Sequence, residues 1–513
     1  MSIVIDDKKI TNINISNKNV QKIVDIFTNK IIFEKTKPEN EYFYIENAYD
    51  GSNTIFVVTR ISSSNITGSH ATQLQYSKDK ETWTTITLSG TNTIPINSGE
   101  RVYFRNDNGF FNWYESDSGL NTDYFYTQFT CTNPHKVGGN INSLLNYKDK
   151  NVTITPYCFY ELFDGNKKLT DASELILPKT SLAPYCYQEM FNGCTALTST
   201  PKLPATTLVE GCYQTMFWGC TSLTTAPTLP ATTLAESCYR SMFQGCTSLT
   251  TAPALPATTL AENCYESMFS GCTSLTTAPT ELPATTLARF CYQNMFQGCT
   301  SLTTAPTELP ATTLADLCYR FMFSDCTSLV NAPALPATTL AENCYESMFE
   351  GCTSLTTAPA LPVKTLIRFC YSSMFKGCSK LVNAPALPAT TLAYYCYQYM
   401  FSGCTSLTSA PALPVKTLTN GCYSYMFYGC TSLTKSPVLP ASTLVDECYD
   451  YMFYNCSSLN NVKSYAKTIG SGTRYTNMWL GNVAKYGTFY NYGSATYTRD
   501  ESGIPEGWTE VKK

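Results

Sequence analysis

Histidine is nearly missing: the 513 residues include two, His70 and His135. Imidazole-based metal or acid–base sites need clusters, which two isolated residues do not supply. Charge is also scarce, at 14% of residues, and a formal net charge of −4 leaves no basic stripe for a nucleic-acid backbone. No apolar run approaches the roughly 18 residues of a membrane span, so membrane insertion is not expected. The opening MSIVIDDKKITNINISNKNV alternates Ile and Val with Asp, Lys and Asn instead of forming the apolar core of an export signal. Synthesis in a cytoplasm is the expectation. The chain shows no CxxC pair, no Gly-rich phosphate loop and no nucleophile–base arrangement, so neither a cofactor nor an enzymatic activity is expected.

What the chain has in excess is cysteine, 24 residues, and repetition. Aligned on Leu-Pro, units begin at Leu177, Leu203, Leu229, Leu255, Leu282, Leu309, Leu335, Leu361, Leu387, Leu413 and Leu439. The step is 26 residues, with an extra Glu making two of the steps 27. A worn unit carrying Cys158, Phe159 and Phe163 lies upstream. A period in this range signals a solenoid, here of about 12 units.

Within a unit, Ala235, Cys238, Tyr239, Met242 and Phe243 fall at i, i+3, i+4, i+7 and i+8, the apolar stripe of a short helix. Gly245 suits a left-handed cap at its end. The other half, CTSLTTAPALPATTL, is Thr-rich and punctuated by proline, which predicts a very short strand. Strands about 4.8 Å apart beside helices needing about 8–10 Å predict a curved, right-handed array with a narrow concave sheet. The fold class expected is mixed α/β. Cys238 and Cys246 are too far apart along such a helix for a disulfide, and buried, reduced thiols are expected. LPATT resembles a wall-sorting signal, yet it recurs internally with Thr where Gly belongs, and reads as strand and turn.

Around the array, residues 1–36 read as two or three short strands that need another copy or a partner to pack against. Residues 37–137 read as a β-sandwich. Its aromatic stretch Phe110, Phe111, Trp113 and Tyr114 suits either sugar stacking or loop packing. Residues 138–176 form a joint, bent at Gly138 and Gly139, and the worn first unit. The solenoid proper occupies 177–456, and 457–513 read as a cap hiding its last core face.

MFxGCTSLTTAP and LPATTLA resemble BspA-type leucine-rich repeats over about residues 150–460. The start KKITNINISNKNVQKIVD, YSKDKETWTTI, VGGNINSLLN and the ending GIPEGWT are similar to structural proteins of Bacteroides-infecting, crAss-like bacteriophages. That resemblance implies a virion location for this chain, as a head or tail fibre or decoration. It also implies attachment to other virion proteins through residues 1–36 and a homo-oligomeric state. The alternative is a bacterial surface BspA-like adhesin, which should carry an export signal; the opening residues favour the virion reading.

The residue before Met in each unit runs from Ser241 and Ser267 through Asn294, Phe321, Ser347 and Ser373 to Tyr399, Tyr425 and Tyr451. With Tyr428, Tyr454, Tyr394 and Tyr395 these form an aromatic patch near the carboxyl end. It suits a host-surface glycan or protein receptor, or packing against the cap or another subunit. The charges Glu262, Glu266, Arg289, Arg320, Glu346 and Arg368 read as a solvated face.

Overall fold

The computed structural model describes residues 42–61, 73–107, 111–116, 122–149, 152–178, 182–469 and 475–513, with four short strands inside residues 1–36. Those four pair as separate antiparallel hairpins, β1 (Ser2–Asp6) with β2 (Lys9–Asn14) and β3 (Lys22–Val24) with β4 (Ile31–Glu34).

The next stretch folds as two facing sheets. One has the order β14 (Leu169–Ile176), β13 (His135–Asn140), β5 (Phe43–Asn47), β10 (Arg101–Arg105), β7 (Gln73–Ser77), β8 (Thr84–Thr87). The other runs β11 (Trp113–Ser116), β12 (Thr122–Cys131), β6 (Asn53–Ile61), β9 (Thr91–Ile96). Alternating burial along β6 and β10 marks a sheet with one face inward. Phe43 and Phe104 meet Phe129 of the opposite sheet at 5.2 and 5.0 Å between ring centroids. Phe111 is buried and stacks on Phe129 at 6.2 Å, which makes it a packing residue. Phe110, His70 and the side chains of Trp113 and Tyr114 lie outside the described residues.

Gly138 and Gly139 sit inside β13, not at a bend. A Cβ on Gly138 would lie 2.4 Å from the Tyr44 hydroxyl, so the strand can pass this ring only as glycine. β13 then pairs in parallel with β14, which belongs to the first repeat, and the Asp171–Ser199 bridge carries the pairing onward. The sandwich sheet thus runs directly into the solenoid.

The repeats overturn the mixed α/β expectation. Among the described residues the one helix is α1 (Ser143–Asn146), and no repeat contains any. Where the helix was expected, Ser237, Ser241 and Gly245 all have left-handed φ, of 54°, 53° and 74°. Between them the backbone makes overlapping turns: Cys238 N–H donates to Ala235, Arg240 to Ser237, Met242 to Tyr239 and Gln244 to Ser241. The intervening donors leave the unit. Tyr239 N–H reaches Cys264 O at 3.1 Å, Ser241 reaches Glu266 O at 2.8 Å, and Phe243 reaches Met268 O at 2.9 Å. Every second backbone donor thus binds the next unit, whereas a helix would keep them all. A four-residue turn period places Cys238, Met242 and Cys246 on one side just as a 3.6-residue helix would, and over two turns the patterns coincide.

Between β14 and the carboxyl-terminal sheet the extended halves contribute single-residue parallel bridges such as Thr225–Thr251–Thr277–Thr304 and Thr259–Thr286, not strands. Pro253 and Pro256 lack the N–H groups that would lengthen them. Equivalent rings stack face to face: Tyr239 on Tyr265 at 5.9 Å and Phe243 on Phe269 at 5.6 Å. This spacing is far below the 8–10 Å that packed helices need, so the helix-based reason for curvature falls away. Tyr239, Met242, Phe243 and Leu249 are at most 1% exposed. Each large apolar side chain so buried contributes about 1.5–3 kcal/mol. At the carboxyl end the Tyr column closes on Trp479, 6.1 Å from Tyr449, beneath a parallel sheet. Its strands are β15 (Lys435–Leu439), β16 (Asn461–Ser464), β17 (Gly487–Asn491) and β18 (Trp508–Lys512).

Candidate functional site

Within each coil of turns, residues alternate in pairs between core and surface. Cys238 and Tyr239 are buried, Arg240 and Ser241 partly exposed, Met242 and Phe243 buried, Gln244 and Gly245 partly exposed. The outward pairs stack from unit to unit as well, so three rows of left-handed residues run along the array. One row reads Tyr185, Gly211, Ser237, Asn263; the next contains Ser241, Tyr399, Tyr425 and Tyr451; the third is mostly glycine. A left-handed backbone disfavours bulky side chains, so three successive tyrosines in the middle row stand out.

Five of the seven expected tyrosines come together. Tyr399 stacks on Tyr425 at 4.4 Å and Tyr425 on Tyr451 at 4.8 Å. Tyr428 stacks on Tyr454 at 5.4 Å, and the two stacks touch where Tyr425 meets Tyr428 and Tyr451 meets Tyr454. Asn455 Nδ2 donates to the Tyr428 hydroxyl at 3.4 Å, Asn482 Nδ2 to the Tyr454 hydroxyl at 3.3 Å, and Lys376 Nζ lies 5.7 Å from the Tyr399 ring centre. Burial in the stack, then the adjoining Tyr399 and Asp450, push the Tyr425 hydroxyl pKa up, so it is a neutral donor at physiological pH.

The other two stand apart from that cluster. Tyr394 is 55% exposed. Tyr395 stacks on Phe369 at 5.2 Å, leans across Gly421 and donates from its hydroxyl to Glu447 at 3.0 Å.

Four of the six charges expected on a solvated face, Glu266, Arg320, Glu346 and Arg368, pair with a charge of a neighbouring unit. Arg240 pairs with Glu266 at 3.0 Å, Arg320 with Glu346 at 2.8 Å and Arg368 with Glu342 at 3.3 Å. All 24 cysteines are buried and free of disulfides. Among the described residues no three His, Cys, Asp or Glu are grouped to hold a metal ion, and no helix is long and apolar enough to cross a membrane.

A second feature escaped the sequence reading. A cavity of about 350 Å³ opens along the first coils, lined by Tyr157, Tyr185, Gln188, Gln214, Arg240 and Asn263, among others. Its residues come from five successive units, and Gln188, Gln214 and Arg240 follow the Cys-Tyr pair of theirs. The one sequence signal was the break in the outward row at Gly211.

Stacked coils of 26 or 27 residues, joined by backbone hydrogen bonds and a buried Leu-Tyr-Phe-Cys ladder, define a leucine-rich-repeat solenoid. The profile of the BspA type leucine rich repeat region matches residues 140–303, 292–411 and 372–483. These matches span more than half of the chain, which belongs to the BspA-type leucine-rich-repeat family. No curated protein matches it.

Proposed function

We propose that this chain is an attachment protein: a repeat solenoid that presents the tyrosine cluster of its last units to a host-surface glycan or protein. The observation that carries this is the cluster itself, five half-buried rings on the outward rows, three of them at left-handed positions that disfavour bulk. Tyrosine gives large, stiff contact area and a hydrogen-bonding tip at low entropic cost. The likeness of residues 1–36, the sandwich and the carboxyl end to phage structural proteins supports placement on a virion, with residues 1–36 docking on other virion proteins in a homo-oligomer. Membership of the BspA-type repeat family favours a second reading, a bacterial surface adhesin.

Mass spectrometry of density-purified virus particles beside washed host envelopes separates the two. Stoichiometric recovery in particles supports the virion placement; recovery only in envelopes overturns it in favour of the adhesin. Attachment is tested apart from location by replacing Tyr399, Tyr425 and Tyr451 with Ser. Adsorption to host cells should fall sharply, and unchanged adsorption would refute a binding role for the cluster.

A further inference from the structure

We infer that the groove on the first five coils is a saccharide site for a short neutral oligosaccharide, separate from the tyrosine cluster and not dependent on that cluster's function. The groove exists because of what stands in one outward row. Tyr157 and Tyr185 stack there at 4.9 Å with planes 9° apart, and the stack then stops. The next coil supplies Gly211, where a Cβ would lie 2.2 Å from the Tyr185 ring carbons, so the ring leans across it. The coil after that supplies Ser237, too small to continue the stack. Among the described residues Tyr185 has no other ring contact; the face turned from Tyr157 lies over Gly211, and the ring borders the groove.

Beside these rings lies a row of polar side chains. Gln188, Gln214 and Arg240 are at equivalent places in successive coils, and Asn263 closes the far end. The side chains of Gln214 and Asn263 make no hydrogen bond among the described residues, while Arg240 is fixed by Glu266 at 3.0 Å. Carboxamides both donate and accept, as vicinal sugar hydroxyls do. Tyrosine rings bordering such groups match a pyranose, with one apolar face and a polar rim. Glu236 borders the same space and Arg240 is already neutralised, so the groove offers no uncompensated positive charge to a phosphate or sulfate. The volume, about 350 Å³, lies at the small end of small-molecule sites and suits two or three sugar rings in an open-sided groove.

The test uses the full chain with three neutral probes, chitotriose, cellotriose and mannotriose, in saturation-transfer NMR and calorimetry. At least one should bind. Gln214→Ala should weaken it about tenfold, the scale of a lost well-placed hydrogen bond. Gly211→Asn should weaken it as far by displacing the Tyr185 ring, with the fold kept because Asn263 and Asn343 occupy the same left-handed row. Tyr425→Ser should leave it unchanged. Thermal melting checks that each variant is folded. Binding by none of the probes, or equal binding by Gln214→Ala and Gly211→Asn, overturns the inference. Loss in Tyr425→Ser alone also overturns it and moves sugar recognition to the tyrosine cluster.

Discussion

The thiol of Cys246 donates to the carbonyl oxygen of Phe217 in the preceding unit, with Sγ and O 3.1 Å apart. The same bond joins Cys220 to Phe191 and Cys272 to Phe243, and it recurs down the array. The cysteine column is therefore a set of inter-unit hydrogen bonds as well as a filler of core space.

Burial pushes the Cys246 thiol up to about 12, and the other repeat cysteines move the same way. The thiolate is the reactive form. In the native protein at pH 8, a thiol reagent should therefore find no fast-reacting group, and after unfolding it should find all 24. A rapid native burst of even a few thiols would contradict this packing.

Tyr213 is 1% exposed, and its hydroxyl has no hydrogen-bond partner among the described residues. In the first unit Phe159 fills the equivalent place and stacks on Tyr187 at 5.6 Å. Tyr213→Phe should therefore stabilise the protein by about 1 kcal/mol, the scale of removing an unsatisfied buried polar group. Urea denaturation measures it, and a loss of stability would show that the hydroxyl is satisfied.

Left-handed backbone costs a non-glycine residue roughly 1–2 kcal/mol, less for Asn. Ser241, at φ 53°, should accept Asn with a gain of about 0.5 kcal/mol, as Asn294 occupies the same row. Gly245→Ala should instead cost about 1–2 kcal/mol. A Cβ there would be 3.8 Å from Gly219, an ordinary contact, so the cost is purely conformational. Equal melting temperatures for the two variants would refute the turn geometry.

Asp164, half-buried at the junction of sandwich and solenoid, has its pKa raised from 3.8 to about 6, by burial first and then by Glu161 and Glu189. The folded pKa exceeds the unfolded one, so the native state holds more protons between these values. Its contribution to stability therefore falls as pH rises from about 4 to 6. Asp164→Asn should match the parent protein below pH 4 and exceed it by about 1 kcal/mol at pH 7, partial solvent screening holding the effect down. His135, buried and lowered to about 4, adds an opposite trend, but in both proteins, so the difference between their melting profiles isolates Asp164. A flat difference across this range would remove the proposed strain at that carboxyl.

Much of the architecture was legible from residue types. The strand stretches TIFVVTRI and ERVYFR alternate as half-buried strands do, and they form β6 and β10. Gly245 was expected to be left-handed and is, at φ 74°, but as the third of three such residues rather than the end of a helix. The tyrosine patch was visible as a change of residue type in one row. Its division into five touching rings and two outliers was not, because it depends on which rows turn toward one another.

The sequence by itself determined the period, the register and the identity of the core. Cys238, Tyr239, Met242 and Phe243 recur at fixed spacing, and only burial explains so constant an apolar set. Helix or turn coil was decided by tertiary structure alone. Both conformations bury that same stripe, and what separates them is where the backbone donors go. Tyr239 N–H finds Cys264 O, and Phe243 N–H finds Met268 O, partners a whole unit away that no local pattern names. The groove near Gly211 has the same origin: Gly211 lets the Tyr185 ring lean across it, and only the stacking of the coils brings Gln214, Arg240 and Asn263 beside that ring.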